Sequence, residues 1–242
     1  MSALYPQNIH TLWQPFFDDN AAELASLLAK LEQESNDHPI CPQKDRIFRF
    51  ASFDLSRLHV VILGQDPYPQ EGAATGRSFE VGTLQSWTEP FRQTSLRNLL
   101  RAVYRAETNE DILWTGLRKK IADGTFPILP PDKLFGALEE QGVLFLNTYL
   151  TCRAGQPLSH AVLWQSLSEK LVSYIDSLPA SEQTAWFLWG SHARSYAQHI
   201  THGIKYESRH PMLCGNYPDD FLKNPCFRET RDRIDWTGMK RG

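Results

Sequence analysis

Four short segments of strand length recur along the chain, three of them apolar, and each ends on polar residues. Their length and composition predict buried β-strands, at residues 58–63, 143–146, 184–189 and 204–207. Stretches with helical periodicity lie between them, at residues 95–105, 133–141, 163–178 and 191–199. Apolar strands that alternate with helices predict an α/β fold with a mostly parallel sheet covered on both faces. We therefore expect a three-layer α/β/α architecture around four strands.

The residues that follow these strands are candidates for one site. Ligands of parallel α/β sheets bind outside the carboxyl ends of the strands, where Gln65, Asp66, Asn147, Ser191 and His210 are expected to converge. Loops are polar in any protein, so one polar strand end alone indicates little. Four such ends that include Asp, Asn and His favour a site.

Two segments interrupt the alternation of strands and helices. Residues 1–53 mix helix and loop, with an amphipathic helix predicted over 21–31, and we interpret them as a packed N-terminal layer. Residues 106–132 combine an acidic patch, a basic cluster and the Pro-rich sequence FPILPP. They are typical of a long insertion that forms an ordered surface loop or a lid. We expect one domain over residues 1–242.

Composition limits the partners and the compartment. The 25 basic and 28 acidic side chains give a formal charge of −3, so binding to a polyanion requires a local basic patch. The cysteines are scattered without a CxxC pair, which favours reduced thiols, although an iron–sulfur cluster that uses all four stays an alternative. No segment has the pattern of a signal peptide or a membrane span. We expect a monomeric, cytoplasmic protein with no membrane association. The cysteines are Cys41, Cys152, Cys214 and Cys226.

Several motifs in order along the chain carry a family resemblance. GQDPY follows the first apolar strand, and GRSFEVG, GVLFLNTYLTCRAGQPLSH, FLWGSHA and SRHP come after it. In order and spacing this set resembles the family 1 uracil-DNA glycosylases, from residue 40 to residue 236. The resemblance implies a DNA repair enzyme that flips uracil out of single- or double-stranded DNA and hydrolyses its N-glycosidic bond. It implies no metal or other cofactor, and an inhibitory protein that mimics DNA as a further partner.

The same resemblance assigns the two catalytic residues. Cleavage of an N-glycosidic bond develops positive charge on the sugar and negative charge on the departing base, and glycosidases meet this demand with positioned carboxylates. Asp66 is expected to stabilise the sugar cation and to orient the attacking water. His210 is expected to donate a hydrogen bond to the base oxygen. Taken alone, Asp66 fits a turn aspartate and His210 a solvated loop histidine.

Base recognition is also assigned by resemblance. Asn147 is expected to bind the amide edge of uracil, since a carboxamide presents a donor and an acceptor together. Phe79 is expected to stack on the ring, and Tyr68 to occupy the space that a thymine methyl needs. Gln65 is expected to supply a backbone contact. Core packing is the alternative for both aromatic residues.

The DNA-binding loops depart from the family pattern. By resemblance, Ser95, Gly190 and Ser191 contact phosphates at helix starts. The family has a Ser/Pro-rich loop with a wedging leucine after the catalytic histidine, whereas this chain has HPMLCGN. Pro211 and Leu213 are assigned to this loop, with Leu213 as a wedge displaced by one position. The family also has a Pro-rich loop before Ser95. In this chain that loop, residues 88–94, contains Pro90 as its single proline. Arginines at 97, 101 and 105 suit phosphates or a merely solvated helix face.

Other functions stay open at this stage. One is a glycosylase for a different or modified pyrimidine, which would use the changed loop after His210 and the segment 106–132. Another is a catalytically weak DNA-binding homologue, although the presence of both Asp66 and His210 disfavours it. A nucleotide-binding α/β protein is disfavoured because neither GxGxxG nor GxxxxGK[ST] occurs.

Overall fold

The computed structural model describes residues 2–239 and contains the predicted parallel sheet. Its strands lie in the order β3-β2-β5-β6, and each neighbouring pair is parallel. These strands begin and end within two residues of the predicted segments. The three-layer α/β/α prediction is therefore confirmed. The strands are β2 (Val60–Gly64), β3 (Val143–Asn147), β5 (Ala185–Trp189) and β6 (Ile204–Ser208).

The sheet is covered on both sides because the residues of β2, β3 and β5 are mostly apolar in both registers. Val61 and Trp186 belong to one buried cluster, together with Trp13 of the N-terminal segment. Ile62 and Phe187 belong to a second buried cluster on the opposite face. Successive strand residues point to opposite faces, so an uninterrupted apolar strand contributes to both clusters. This explains why β2, β3 and β5 are buried along their whole length.

Helices form the two outer layers. Helix α3 extends past the predicted 95–105 at both ends, and the predicted helix 191–199 divides into α7 and a short 3-10 helix. The α-helices of the described chain are α1 (Gln14–Asp19), α2 (Ala21–Ser35), α3 (Thr94–Thr108), α4 (Trp114–Ala122), α5 (Pro131–Glu140), α6 (Ala161–Asp176), α7 (Gly190–Ser195) and α8 (Cys226–Thr230). Its 3-10 helices are Thr11–Trp13, Lys44–Arg46, Arg49–Ser52, Leu55–Arg57, Pro179–Gln183, Tyr196–His199, Pro211–Leu213 and Phe221–Lys223.

The segment 106–132 is not a surface loop, so that prediction is wrong. Its first residues complete α3, and its centre forms α4. Leu117 of α4 is fully buried, and Phe126 packs edge to face on Tyr104 of α3 with the ring centroids 5.0 Å apart. These apolar contacts make the segment part of the helical layer.

A small two-stranded antiparallel sheet, which the sequence patterns do not predict, lies beside the main sheet. It pairs β1 (Ile40–Cys41) with β4 (Cys152–Arg153). Two-residue strands are too short to show periodicity, which explains why they were missed. Among the helices of residues 2–239, none has the length and apolar character needed to cross a membrane.

Candidate active site

A cavity of about 240 Å³ opens at the carboxyl edge of the sheet. It is smaller than the roughly 300–1,000 Å³ of pockets for drug-sized ligands, which suits a single-ring ligand. The predicted catalytic and base-binding residues all line it, although they are far apart in sequence. The predicted site residues around this cavity are Gln65, Asp66, Tyr68, Phe79, Ser95, Asn147 and His210.

Asp66 lies two residues beyond β2 and faces this cavity. Its Oδ2 accepts a hydrogen bond from the backbone N–H of Leu158 at 2.7 Å, which fixes the carboxylate. Burial raises the pKa of Asp66 above its ordinary value, and the N–H of Leu158 opposes that shift. The site therefore holds a partly desolvated carboxylate.

The loop around Gln65 is tied to the end of β3. The carbonyl of Gln65 accepts hydrogen bonds from the N–H of Tyr149 at 2.8 Å and from the hydroxyl of Thr148 at 3.0 Å. The Thr148 hydroxyl also pairs with Nε2 of His192 at 2.7 Å. These bonds hold the backbone of the loop that begins at Gln65 against the end of β3.

Asn147 is buried at the end of β3, directly opposite Gly64 of β2. A Cβ atom at Gly64 would overlap the carboxamide oxygen of Asn147 and lie 2.7 Å from Cβ of Ser78. Only glycine leaves room for the amide at this point. The glycine of the GQDPY motif therefore makes space for Asn147.

Phe79 and His210 form one wall of the cavity. Their rings are stacked with centroids 6.3 Å apart, and Trp189 at the end of β5 packs edge to face on Phe79 at 5.5 Å. Phe79 has a φ of +63°, which is rare for a bulky residue and costs energy. Leu158, the residue that holds Asp66, has the same φ of +63°. Two unusual backbone positions thus serve the site.

His210 is positioned as a neutral donor. Its Nδ1 accepts the backbone N–H of Met212 at 3.2 Å, so the proton of the neutral ring resides on Nε2. Burial lowers the pKa of His210 below its ordinary value, which favours the neutral ring at neutral pH. The arrangement presents an N–H donor without a full positive charge.

Known proteins resemble this chain over most of its length. The uracil-DNA glycosylase of Streptococcus suis (strain 05ZYH33) is 32% identical over 208 residues, covering 81% of this chain and 83% of that protein. The chain belongs to the uracil-DNA glycosylase family. This confirms the predicted enzyme class, a hydrolase of N-glycosidic bonds in DNA repair. No family model matches the sequence.

Solved structures share the fold. The UNG crystal structure from Nitratifractor salsuginis matches with a TM-score of 0.71 at 22% identity, covering 97% of this chain and 94% of that chain. A mimivirus UNG variant in complex with UGI matches with a TM-score of 0.64 at 22% identity, covering 85% of this chain and 71% of that chain. At such identity these matches support the fold alone.

The remaining predicted positions lie around the cavity and not in its lining. Gly190 has a φ of +89°, and a Cβ there would lie 2.9 Å from Cβ of His210. Ser191 is exposed at the start of α7. Pro211 is buried and its carbonyl accepts a hydrogen bond from Asn98 of α3 at 2.7 Å, whereas Leu213 is 52% exposed.

Two of the three arginines of α3, Arg101 and Arg105, are engaged in polar contacts within the protein. Arg101 donates to the carbonyl of Ile112 at 2.6 Å and to Asn98 at 2.8 Å. Arg105 forms an ion pair with Asp111 at 2.8 Å. Arg101 and Arg105 therefore connect α3 to the segment that follows it, through Ile112 and Asp111.

Sequence reasoning missed residues that support the site. Leu158 and Thr148 lie inside the quoted motif GVLFLNTYLTCRAGQPLSH, but their roles depend on backbone geometry. Arg77, from GRSFEVG, lines the cavity and forms ion pairs with Glu80 at 3.1 Å and with Glu139. Within residues 2–239, no group of His, Cys, Asp or Glu side chains could hold a metal ion.

Proposed function

We propose that this cavity excises uracil from DNA by hydrolysis, with Asp66 and His210 as its catalytic residues. The observation that carries the proposal is their placement on one small cavity together with Asn147 and Phe79. A carboxylate for the sugar, a neutral donor for the leaving base and a carboxamide for base recognition are then within reach of one nucleotide. The products are free uracil and an abasic site.

Asp66 acts on the sugar side of the reaction. As the N-glycosidic bond breaks, the sugar acquires oxocarbenium character, and a carboxylate fixed beside it stabilises that charge. The N–H of Leu158 prevents the carboxylate from turning away. Because Asp66 is partly desolvated, its charge interacts more strongly with the cation than it would in water. The same carboxylate orients the attacking water.

His210 acts on the leaving base. Negative charge accumulates on the uracil oxygens as the bond breaks, and the Nε2–H of a neutral imidazole donates a hydrogen bond to one of them. This needs no full proton transfer. The backbone N–H of Met212 donates to Nδ1 of His210. This bond leaves the Nε2–H of the ring free to face the cavity.

Base selection follows from the other walls. The carboxamide of Asn147 offers a donor and an acceptor, which match N3–H and O4 of uracil and mismatch cytosine. The Phe79 ring stacks on the base, and a backbone group of Gln65 completes the contact. The Tyr68 ring excludes the 5-methyl group of thymine by occupying its space.

Extrusion of the base requires contacts with the DNA strand. We assign phosphate contacts to Ser95, at the start of α3, and to Gly190 and Ser191, at the start of α7. Leu213 projects from the 3-10 turn that follows His210 and is the candidate wedge for the vacated stack. Pro211 holds that turn against α3.

Finer assignments accompany this proposal. The motif set supports family 1 within the larger family, and one domain over residues 1–242. A monomer in the cytoplasm, without membrane contact or cofactor, stays the prediction of the sequence. The complex of mimivirus UNG with UGI supports the proposal that a protein mimic of DNA can occupy the same DNA-binding face.

Single-turnover excision on oligonucleotides with one uracil tests the proposal. We expect release of uracil by the wild type and a rate lower by about 10²–10⁴ for Asp66→Asn. Asp123→Asn, on an exposed turn outside the cavity, is the matched control and should retain the wild-type rate. An oligonucleotide with a modified pyrimidine provides the other arm. Excision of that base with complete inactivity on uracil would overturn the assignment.

A further inference from the structure

Two cysteines lie directly opposite each other beside the catalytic loop. Cys41 of β1 pairs with Cys152 of β4 in the two-stranded antiparallel sheet. Opposite residues of an antiparallel pair project from the same face, and the two side chains pack in one small cluster with Ala74, which lines the active-site cavity. Both thiols are free, and the residues are only 5% and 0% exposed.

Each thiol is bonded to the loop that carries Asp66. The thiol of Cys152 donates to the carbonyl of Pro67 at 3.6 Å, and the thiol of Cys41 donates to the carbonyl of Pro69 at 3.7 Å. Thiols are weak donors. The two accepting carbonyls belong to the residues on either side of Tyr68, and Pro67 directly follows Asp66. The two-stranded sheet thus supports the loop of residues 65–69, which carries Asp66, through the two sulfur atoms.

The register of β1 and β4 gives the two cysteines a backbone spacing that a disulfide can span. The N–H of Ala154 donates to the carbonyl of Pro39 at 2.8 Å, which marks a hydrogen-bonded pair. Pairs alternate along an antiparallel ladder, so the Cys41 and Cys152 pair is hydrogen-bonded too, with Cα atoms about 5.5 Å apart. Disulfides span Cα separations of about 4.4–6.8 Å. Rotation of the two side chains toward each other would complete the bond.

We propose that Cys41 and Cys152 are a redox-sensitive thiol pair that controls the catalytic loop. The oxidant is a low-molecular-weight disulfide. One cysteine attacks it and displaces a small thiol, and the other cysteine then attacks the mixed disulfide and releases the second small thiol. Two protein thiols become one S–S bond, and their protons end on the two small thiols.

Oxidation would displace the active-site loop. Both S–H donors to Pro67 and Pro69 disappear, because the two sulfur atoms turn from these carbonyls to each other. Because Asp66 precedes Pro67, its carboxylate shifts relative to the sugar, and a misplacement of about 1 Å can lower a rate about 100-fold. This consequence depends on the proposed catalytic role of Asp66, whereas formation of the bond does not.

Burial determines how fast the pair reacts. Burial raises the pKa of Cys152 to about 12, with further contributions from the nearby Asp66 and Cys41. Burial and Glu71 raise the pKa of Cys41. The thiolate is the attacking species, so exchange is slow at neutral pH and accelerates as the pH rises.

Redox titration of the full-length protein tests the pair. The protein is equilibrated with mixtures of reduced glutathione and glutathione disulfide at alkaline pH, and then assayed for uracil excision. We expect the free thiols to fall from four to two, with peptide mapping of a Cys41–Cys152 bond. Excision should fall on the order of 100-fold and return after treatment with dithiothreitol.

Single variants separate this pair from the other thiols. Cys41→Ala and Cys152→Ala should each keep, under oxidant, the activity they have when reduced. Cys214→Ala leaves the pair intact and should lose activity under oxidant in the same proportion as the wild type. Equal sensitivity of Cys41→Ala, absence of the bond, or a bond without loss of activity would overturn the proposal. Inactivity of the reduced wild type would instead contradict the proposed function, while mapping would still test the bond.

Discussion

At the residue scale, the proposed catalytic role of Asp66 comes with a cost in stability. Its pKa in the folded state is raised by burial. Protonation of a group with a raised folded-state pKa stabilises the fold, and this contribution is lost as the pH rises through that pKa. The ionised carboxylate that the reaction needs is therefore less stable in its site than a neutral side chain would be.

We expect Asp66→Asn to be more heat-stable than the wild type at neutral pH, because the amide has no charge to desolvate. The gain in Tm should be on the order of 2–4 °C. It should disappear at a pH below 3.8, the ordinary pKa of aspartate, where the wild-type carboxyl is protonated as well. Thermal unfolding across this pH range measures the difference. An equal gain at low and neutral pH would contradict the explanation.

The two proposed catalytic residues, Asp66 and His210, also predict the shape of the pH profile. The pKa of Asp66 is raised from 3.8, and that of His210 is lowered from 6.5. The raised pKa moves the ionisation of Asp66 toward neutrality, whereas the lowered pKa favours the neutral ring of His210. We therefore expect kcat/KM to fall on the acid side of neutrality, as Asp66 becomes protonated. Rates between about pH 4 and pH 8 report these transitions. His210→Gln keeps an N–H donor but does not titrate, so its acid limb should reflect Asp66 alone.

At the element scale, the junction of β5 and α7 positions His210, the proposed catalytic histidine. Gly190 connects these elements with a φ of +89°, and its α-carbon faces His210 closely enough that a Cβ would lie 2.9 Å from the Cβ of that residue. The backbone at Gly190 thus packs directly against the side chain of His210, which follows β6. A glycine is required both for the conformation and for the space.

Gly190→Ala should therefore displace His210 and lower the single-turnover rate at saturating DNA on the order of 100-fold. Gly124→Ala is the matched control, because Gly124 has a φ of +76° and nothing within 4 Å of a new Cβ. Both variants carry a similar conformational cost of about 1–2 kcal/mol. Equal loss of stability with loss of activity only in Gly190→Ala would support the contact. Full activity of Gly190→Ala would refute it.

At the scale of the whole molecule, binding to DNA depends on local surfaces, because the formal charge of the chain is −3. Two of the α3 arginines are used within the protein. Apolar side chains next to the cavity are exposed instead, since Met212 is 59% and Leu213 is 52% exposed. Exposed apolar groups beside a base-binding cavity suit insertion into a base stack.

Leu213→Ala should lower excision from double-stranded DNA about tenfold, because the variant loses the apolar contact that replaces the extruded base. Excision from single-stranded DNA should change little, since no base stack has to be filled. Leu113→Ala is the control, because Leu113 is 72% exposed and lies outside the cavity. Parallel assays on the two substrates measure the effect. An equal loss on both would remove Leu213 from the wedge role.

Much of the fold and of the site was predictable from local patterns. Apolar runs predicted β2, β3 and β5, because burial on both faces requires uninterrupted apolar residues. The edge strand β6 differs, since Lys205 and Glu207 are exposed in it. The motifs identified the residues that line the cavity, because parallel strands bring their carboxyl ends to one edge. Segment 106–132 was misjudged since its prolines and charges concealed α4, whose burial depends on contacts with α3.

The sequence by itself determined the strand residues, the polar residues that follow them and the motifs of the family. Only the tertiary structure decided that Leu158 donates to Asp66, that His210 carries its proton on Nε2, and that Cys41 faces Cys152. These features join residues distant in sequence, or depend on burial. Hydrogen bonding and desolvation are properties of the packed surroundings, so no local pattern encodes them.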